Sequence, residues 1–234
     1  MVDTLAPRAI IGVMTPAMNT VVQPDLELLR PIGVTNQMQR FRLGGDRISE
    51  DLFDEAEKLM DCKPAAIAVG LTTDAAPGGV EKLLDRSQQL STHLGIPVCN
   101  ASIATQQALQ AIGAKRIAVA TPFSADIDQT VKANLESAGF EVVTIKGTEA
   151  PGLQAICETP FDQIRSLIRQ LAKSDCDAVA QIGTALPMIE LIDELEKDTG
   201  KTIIACNAAL YWQTLRLVGI GDSLDGFGSL FSDC

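Results

Sequence analysis

Ile11-Gly-Val-Met-Thr-Pro16 is a short apolar run closed by Thr-Pro, and 106 residues later the chain repeats it as Ile117-Ala-Val-Ala-Thr-Pro122. Two further stretches recur in the same order. Ala66-Ile-Ala-Val-Gly-Leu-Thr72 returns as Ala178-Val-Ala-Gln-Ile-Gly-Thr184 at an offset of 112, and Cys99-Asn100-Ala101 returns as Cys206-Asn207-Ala208 at an offset of 107. Each match is weak alone, because Ile/Val/Ala strings recur in any parallel sheet. Three in order, at similar offsets, predict a duplicated lobe.

The rest of the chain fits that unit. Apolar runs at Ala9–Met14, Ala65–Leu71, Pro97–Cys99, Arg116–Ala120, Glu141–Ile145, Ala178–Ile182 and Thr202–Cys206 read as buried strands. Between them, Glu50–Asp61, Gly79–Leu94, Ala101–Ile112, Ile127–Ala138, Phe161–Lys173, Pro187–Thr199 and Ala208–Val218 read as helices. In Gly79–Leu94, for example, Val80, Leu83, Leu84, Leu90 and Leu94 keep helical spacing. Gly95, Gly113, Gly139 and Gly200 each follow a helix and precede a strand, the expected stop signal. Strands this apolar, alternating with helices, require a parallel sheet covered on both faces. The predicted fold is therefore α/β: two similar Rossmann-like lobes related by pseudo-two-fold symmetry. Residues 1–112 form the first, joined by the C-terminal segment 216–234, and residues 113–215 form the second.

Composition narrows the function. Of 234 residues, 46% are hydrophobic, ample for a buried core, and no apolar run reaches the roughly 18–20 residues of a membrane span. The formal charge is −11, from 19 basic and 30 acidic side chains with no Lys/Arg cluster, so nucleic acids and phospholipid surfaces are repelled. The six cysteines form no CxxC and no metal-type grouping, which points to a reducing cytoplasm rather than a disulfide framework. The single histidine, His93, reads as a polar residue at a helix C-terminus. A homo-oligomeric assembly is left open.

In open parallel sheets ligands collect beyond the carboxyl ends of the strands. That rule selects Thr15–Thr20, Leu71–Pro77, Thr121–Ser124 and Gly183–Pro187, which are rich in hydroxyl, Gly, Pro or amide residues and hold a single charge, Asp74. Neutral donors and free amides suit a small carboxylate or phosphate.

At these loops the chain resembles the aspartate/glutamate racemase superfamily, in the branch holding arylmalonate decarboxylase and maleate cis-trans isomerase. Ile11–Asp25 is similar to that branch's opening strand and Pro-x-x-Asn-Thr loop. Ala104–Ala125 is similar to its middle helix, Gly-x-x-Arg-Ile strand and Thr-Pro-Tyr loop. Gly183–Val218 resembles the last βαβ segment, and Gly226–Phe231 the decarboxylase tail. The resemblance implies chemistry at the carbon next to a carboxylate, with no cofactor and no metal. Racemases of the superfamily use two cysteines, one per lobe, and maleate isomerases add one of theirs to the double bond. The decarboxylase keeps only the second-lobe cysteine, as proton donor, and holds an enediolate with a Gly-Thr-Ser run.

This chain departs from that pattern. Leu71, followed by Thr72 and Thr73, stands at the first-lobe cysteine position, and Gly183, followed by Thr184, at the second. Two-thiol racemisation and cysteine addition therefore do not transfer. Thr72 and Thr73 match the decarboxylase's hydroxyl pair and imply an oxyanion cradle. Phe123 replaces the family tyrosine and removes one hydroxyl, while Asn19 and Thr20 retain the family's carboxylate contacts; Thr15, in the same strand-end segment, is a further substrate-side candidate. Asp74 is the nearest group able to move a proton, if burial raises its pKa; the alternative is that it caps the Gly79–Leu94 helix. Cys99 and Cys206, at equivalent positions, are a second candidate pair or small buried hydrophobes. Tyr211 and Trp212 read as core. The expected activity is a cofactor-independent lyase or isomerase on a small mono- or dicarboxylic acid, most nearly a decarboxylase. A hydrolase or other lyase using a bound water in the same cleft, or a non-catalytic carboxylate-binding protein, stands as the alternative.

Overall fold

In the computed structural model, which describes residues 3–43 and 48–234, the repeated stretches fall at matching places in two sheets. The first sheet holds β1 (Ala9–Pro16), β2 (Val34–Phe41), β3 (Ala66–Val69) and β4 (Val98–Asn100), in the order β2-β1-β3-β4. The second holds β5 (Arg116–Thr121), β6 (Glu141–Gly147), β7 (Ala178–Gln181) and β8 (Thr202–Ala205), in the order β6-β5-β7-β8. All pairings are parallel. Ile11 sits opposite Ala66 in one ladder and Ile117 opposite Ala178 in the other, so the sequence repeat is a repeat of register.

Helices α1 (Val22–Leu28), α2 (Ile48–Met60), α3 (Gly79–Leu94) and α4 (Ala101–Ala111) accompany the first sheet. With the second run α5 (Ala125–Ser137), α6 (Leu153–Cys157), α7 (Phe161–Leu171), α8 (Ile192–Thr199), α9 (Cys206–Leu217) and α10 (Ser229–Asp233). Helix α3 has the bounds its periodicity predicts and ends at Gly95, whose φ of +70° is open to glycine at no steric cost. The helix expected over Pro187–Thr199 starts later, as a 3-10 turn at Ile189–Leu191 leading into α8. Strand β2 and helices α1, α6 and α10 carry no expectation from sequence. β2 is an edge strand with polar residues (Val-Thr-Asn-Gln-Met-Gln-Arg-Phe) and a mixed burial pattern, so neither alternation nor an apolar run marks it.

The lobes are not separate bodies. Helix α9, which follows the last strand of the second sheet, packs on α4 and reaches back to α1, β3 and β4. Helix α4 in turn touches β7 and β8. One buried cluster accordingly runs from Ile11 and Val13 through Ala104 and Ala108 to Val179, Ile204 and Leu210, and a smaller one around Met14, Phe41 and Leu59 covers the outer face of the first sheet. The segment after α9 divides. Asp222 pairs with Arg8 of the first lobe at 2.6 Å. Helix α10 instead lies on α9 and β8, where the Glu196 carboxylate accepts from the Ser229 amide (2.7 Å) and hydroxyl (3.0 Å). Among the described residues no helix is long and apolar enough to cross a membrane.

Candidate active site

A cavity of about 210 Å³ opens between the lobes at the carboxyl ends of the strands. Equivalent loops line it from both sides. Pro16, Met18 and Asn19 follow β1 and Pro122 and Phe123 follow β5; Leu71, Thr72 and Ala75 follow β3, and Gly183, Thr184 and Ala185 follow β7. Leu43, beyond β2, and Leu153 and Ile156 of α6, beyond β6, complete an apolar wall. Among the described residues the lining carries no acid, base or thiol. Its polar groups are the Asn19 amide, the Thr72 and Thr184 hydroxyls and main-chain atoms, and the amides of Thr72, Thr184 and Ala185 make no backbone hydrogen bond among the described residues.

The polar residues also tie the lobes together. Asn19 Oδ1 accepts from the amides of Val21 (2.9 Å) and Val22 (3.1 Å), satisfying donors that the start of α1 leaves without an intrahelical partner. Its Nδ2 donates to Thr184 Oγ1 in the opposite lobe at 3.2 Å, and the Thr184 hydroxyl donates to the Gly70 carbonyl, also at 3.2 Å. One layer down, Asn207 Nδ2 donates to the Thr184 carbonyl (3.0 Å) and to Asp25 Oδ2 (2.8 Å). Burial pushes the Asp25 carboxyl up to about 7, with the Glu190 charge adding to the rise and the Asn207 hydrogen bond opposing it.

Of the residues selected from sequence, Asn19, Thr72, Phe123, Gly183 and Thr184 converge on the cavity. Four do not line it. Thr73 is spent on its own loop: its hydroxyl donates to the Gly79 carbonyl (2.6 Å) and its amide to Ser102 Oγ (3.2 Å). Asp74 turns away into the protein and is 1% exposed. Ser102 donates to its Oδ2 at 2.7 Å, Oδ1 is buried without a partner among the described residues, and burial raises its pKa. Asp74 does not cap α3 either; the cap is Gly78, with no side-chain bond. Thr15 is fully buried, and Thr20 is exposed. His93 is exposed and bonded to Glu57 at 2.8 Å. Cys99 and Cys206 are buried off the cavity, and desolvation pushes both thiols up, Cys99 to about 12.

Leu71 and Gly183 face the cavity from opposite lobes, so the side-chain exchange read from sequence falls on its two walls. Gly183 has φ +112°, and a Cβ built there lies 2.7 Å from Pro122 Cδ and 2.8 Å from Cγ. This backbone has no room for a side chain at residue 183. Sequence reasoning missed Asp25, Asn207 and the apolar wall. Asn207 lies inside the Cys-Asn-Ala repeat, which carried the signal. Leu153 and Ile156 sit on a five-residue helix too short to show a period.

With this geometry, residues 22–231 match the family model described as arylmalonate decarboxylase. The chain belongs to the arylmalonate decarboxylase family. Arylmalonate decarboxylase from Bordetella bronchiseptica is 23% identical over 193 residues, covering 81% of this chain and 80% of the relative. Maleate isomerase from Nocardia farcinica is 23% identical over 238 residues, covering 94% of each. The crystal structure of the maleate isomerase Iso from Pseudomonas putida S16 superposes with a TM-score of 0.85 at 20% identity, over 96% of this chain and 98% of that one. The protein is thus an α/β enzyme of the Asp/Glu racemase superfamily, in its decarboxylase and isomerase branch.

Proposed function

We propose that the protein removes CO₂ from a small malonate-type dicarboxylate that carries an apolar substituent. The observation that carries this reading is the lining: an apolar wall beside uncharged donors, reached by equivalent loops of both lobes. One carboxylate sits against the Thr72 hydroxyl and the amides of Thr72, Thr184 and Ala185. The other lies against the apolar wall, where losing its hydration favours departure as neutral CO₂. When the C–C bond breaks, its electron pair passes into the retained carboxylate, which becomes an enediolate, and donors already aimed at those oxygens stabilise the added charge. The cradle is assigned to Thr72 and not to Thr73, whose hydroxyl is committed to Gly79. Water supplies the proton that replaces CO₂ and leaves as hydroxide, because Asp74 is turned away and the described lining residues offer no acid.

The test is incubation of the purified protein in D₂O with phenylmalonate, methylphenylmalonate, methylmalonate and maleate, followed by mass spectrometry. The reading requires CO₂ release and one solvent deuteron in the product. Conversion of maleate alone would replace it with an isomerase, and saturable binding without any turnover would replace it with a carboxylate-binding protein.

A further inference from the structure

The loop that brings Thr72 to the cavity is held from two directions. From its own lobe, Ser102 of α4 accepts the Thr73 amide (3.2 Å), and the Thr73 hydroxyl closes on Gly79 (2.6 Å). From the opposite lobe Thr184 holds the Gly70 carbonyl just ahead of the loop (3.2 Å), and Asn134 of α5 reaches the loop itself. Its Nδ2 donates to the carbonyl of Asp74 at 2.7 Å and to that of Ala76 at 3.2 Å. Those two residues flank Ala75, which lines the cavity, and Asp74 is two residues past Thr72. The α5 helix begins just after Pro122 and Phe123, the facing wall. Asn134 therefore links the two walls outside the site itself.

We propose that Asn134 is a positioning residue: it fixes the first-lobe loop 72–76 from the second lobe, and so sets where Thr72 and Ala75 stand relative to Phe123 and Gly183. The proposal rests on the carboxylate-binding role of the cavity for its functional half and on geometry alone for its structural half. Asn134 is half-buried, so carbonyls it releases can be hydrated, and its loss frees a loop without opening the core. A surface residue of α5 with a merely local role would leave loop 72–79 unaffected when removed.

The experiment compares wild type with Asn134→Ala and Asn134→Asp by amide hydrogen exchange and by calorimetric titration with phenylmalonate. Asp keeps the shape of Asn and loses the donor. Both variants are expected to keep the wild-type urea midpoint closely, to exchange at residues 72–79 roughly tenfold faster, and to bind phenylmalonate about five- to tenfold more weakly, the range set by one or two hydrogen bonds. Unchanged exchange at 72–79 overturns the proposal, as does faster exchange with wild-type affinity, which leaves only a structural tie. Restoration by Asp overturns it too, because shape and not donation would then hold the loop. If phenylmalonate does not bind the wild type while exchange at 72–79 still accelerates in both variants, the interlobe tie stands and the proposed substrate falls.

Discussion

Replacing Asp25 by Asn should change how stability depends on pH, by an amount the structure sets. Asp25 is 6% exposed on α1, hydrogen-bonded to Asn207 Nδ2 at 2.8 Å, and burial carries its carboxyl from an ordinary 3.8 up to about 7. A carboxyl whose pKa is higher folded than unfolded binds the extra proton in the folded state between the two values. Stability then falls as pH rises through that window and levels off above about 7. At 1.36 kcal/mol per pH unit, the full window amounts to about 4 kcal/mol, of which about 3 kcal/mol falls between pH 5 and pH 8. Asn at this position keeps an oxygen for Asn207 and has nothing to titrate. Urea unfolding of wild type and Asp25→Asn at half-unit steps from pH 5 to 8 should show the variant gaining on the wild type by about 3 kcal/mol across that range. Asp74 and Asp128 also have raised carboxyls and steepen both curves alike, so the difference between the two proteins isolates Asp25. A difference that stays flat with pH would refute the reasoning, since it would mean that the buried carboxyl is not ionising against its surroundings.

Three other outcomes follow from the site. Gly183→Ala should destabilise by about 2–4 kcal/mol in urea unfolding, because φ +112° and a Cβ 2.7 Å from Pro122 Cδ impose backbone strain and overpacking together; Gly183→Cys should behave alike and show no thiol-dependent turnover. Thr72→Val should lower kcat on phenylmalonate about 10²-fold, as expected on removing one oxyanion donor, whereas Thr73→Val should act mainly on stability, since its hydroxyl serves Gly79. Iodoacetamide should label exposed Cys234 in the native protein and reach Cys99 and Cys206 only after denaturation, leaving turnover intact, as peptide mapping and a parallel activity assay would show.

The fold was legible because a parallel sheet buries whole strands. β1, β3, β5 and β7 are almost entirely buried, so each has an apolar run at its centre with polar residues only toward its ends, and the repeat between them preserves register as well as order. β2 escaped because an edge strand buried at its ends and partly open between them need not alternate. At the site, the rule that ligands meet strand ends found the loops but could not orient side chains within them. Thr72 and Thr73 are neighbours and both threonine, yet one lines the cavity and the other closes its own loop on Gly79. Asp74 was selected as the only charge in the selected loops, and the same burial that raises its pKa comes from its facing inward to Ser102. The interlobe partners were illegible in principle: Asn19 to Thr184 and Asn207 to Asp25 are 165 and 182 residues apart, and no local pattern couples them.

What holds the two walls at their spacing is largely uncharged. Asn19 reaches Thr184, Asn134 reaches the carbonyls of Asp74 and Ala76, and Asn207 reaches both Thr184 and Asp25. Carboxamides do not titrate, and as hydrogen-bond donors they are little screened by salt, so lobe spacing built from them is insensitive to pH and ionic strength. Asp25 is the exception. It is the one ionisable side chain in this set of ties, and it sits one hydrogen bond from Asn207, which holds the carbonyl of Thr184 at the cavity. Ionisation of Asp25 places a buried negative charge beneath the cavity proposed to take a carboxylate, so carboxylate affinity should weaken as pH rises past about 7, where the loss of fold stability is already levelling off. His93 cannot produce that coupling, because it lies exposed against Glu57 and touches none of these ties.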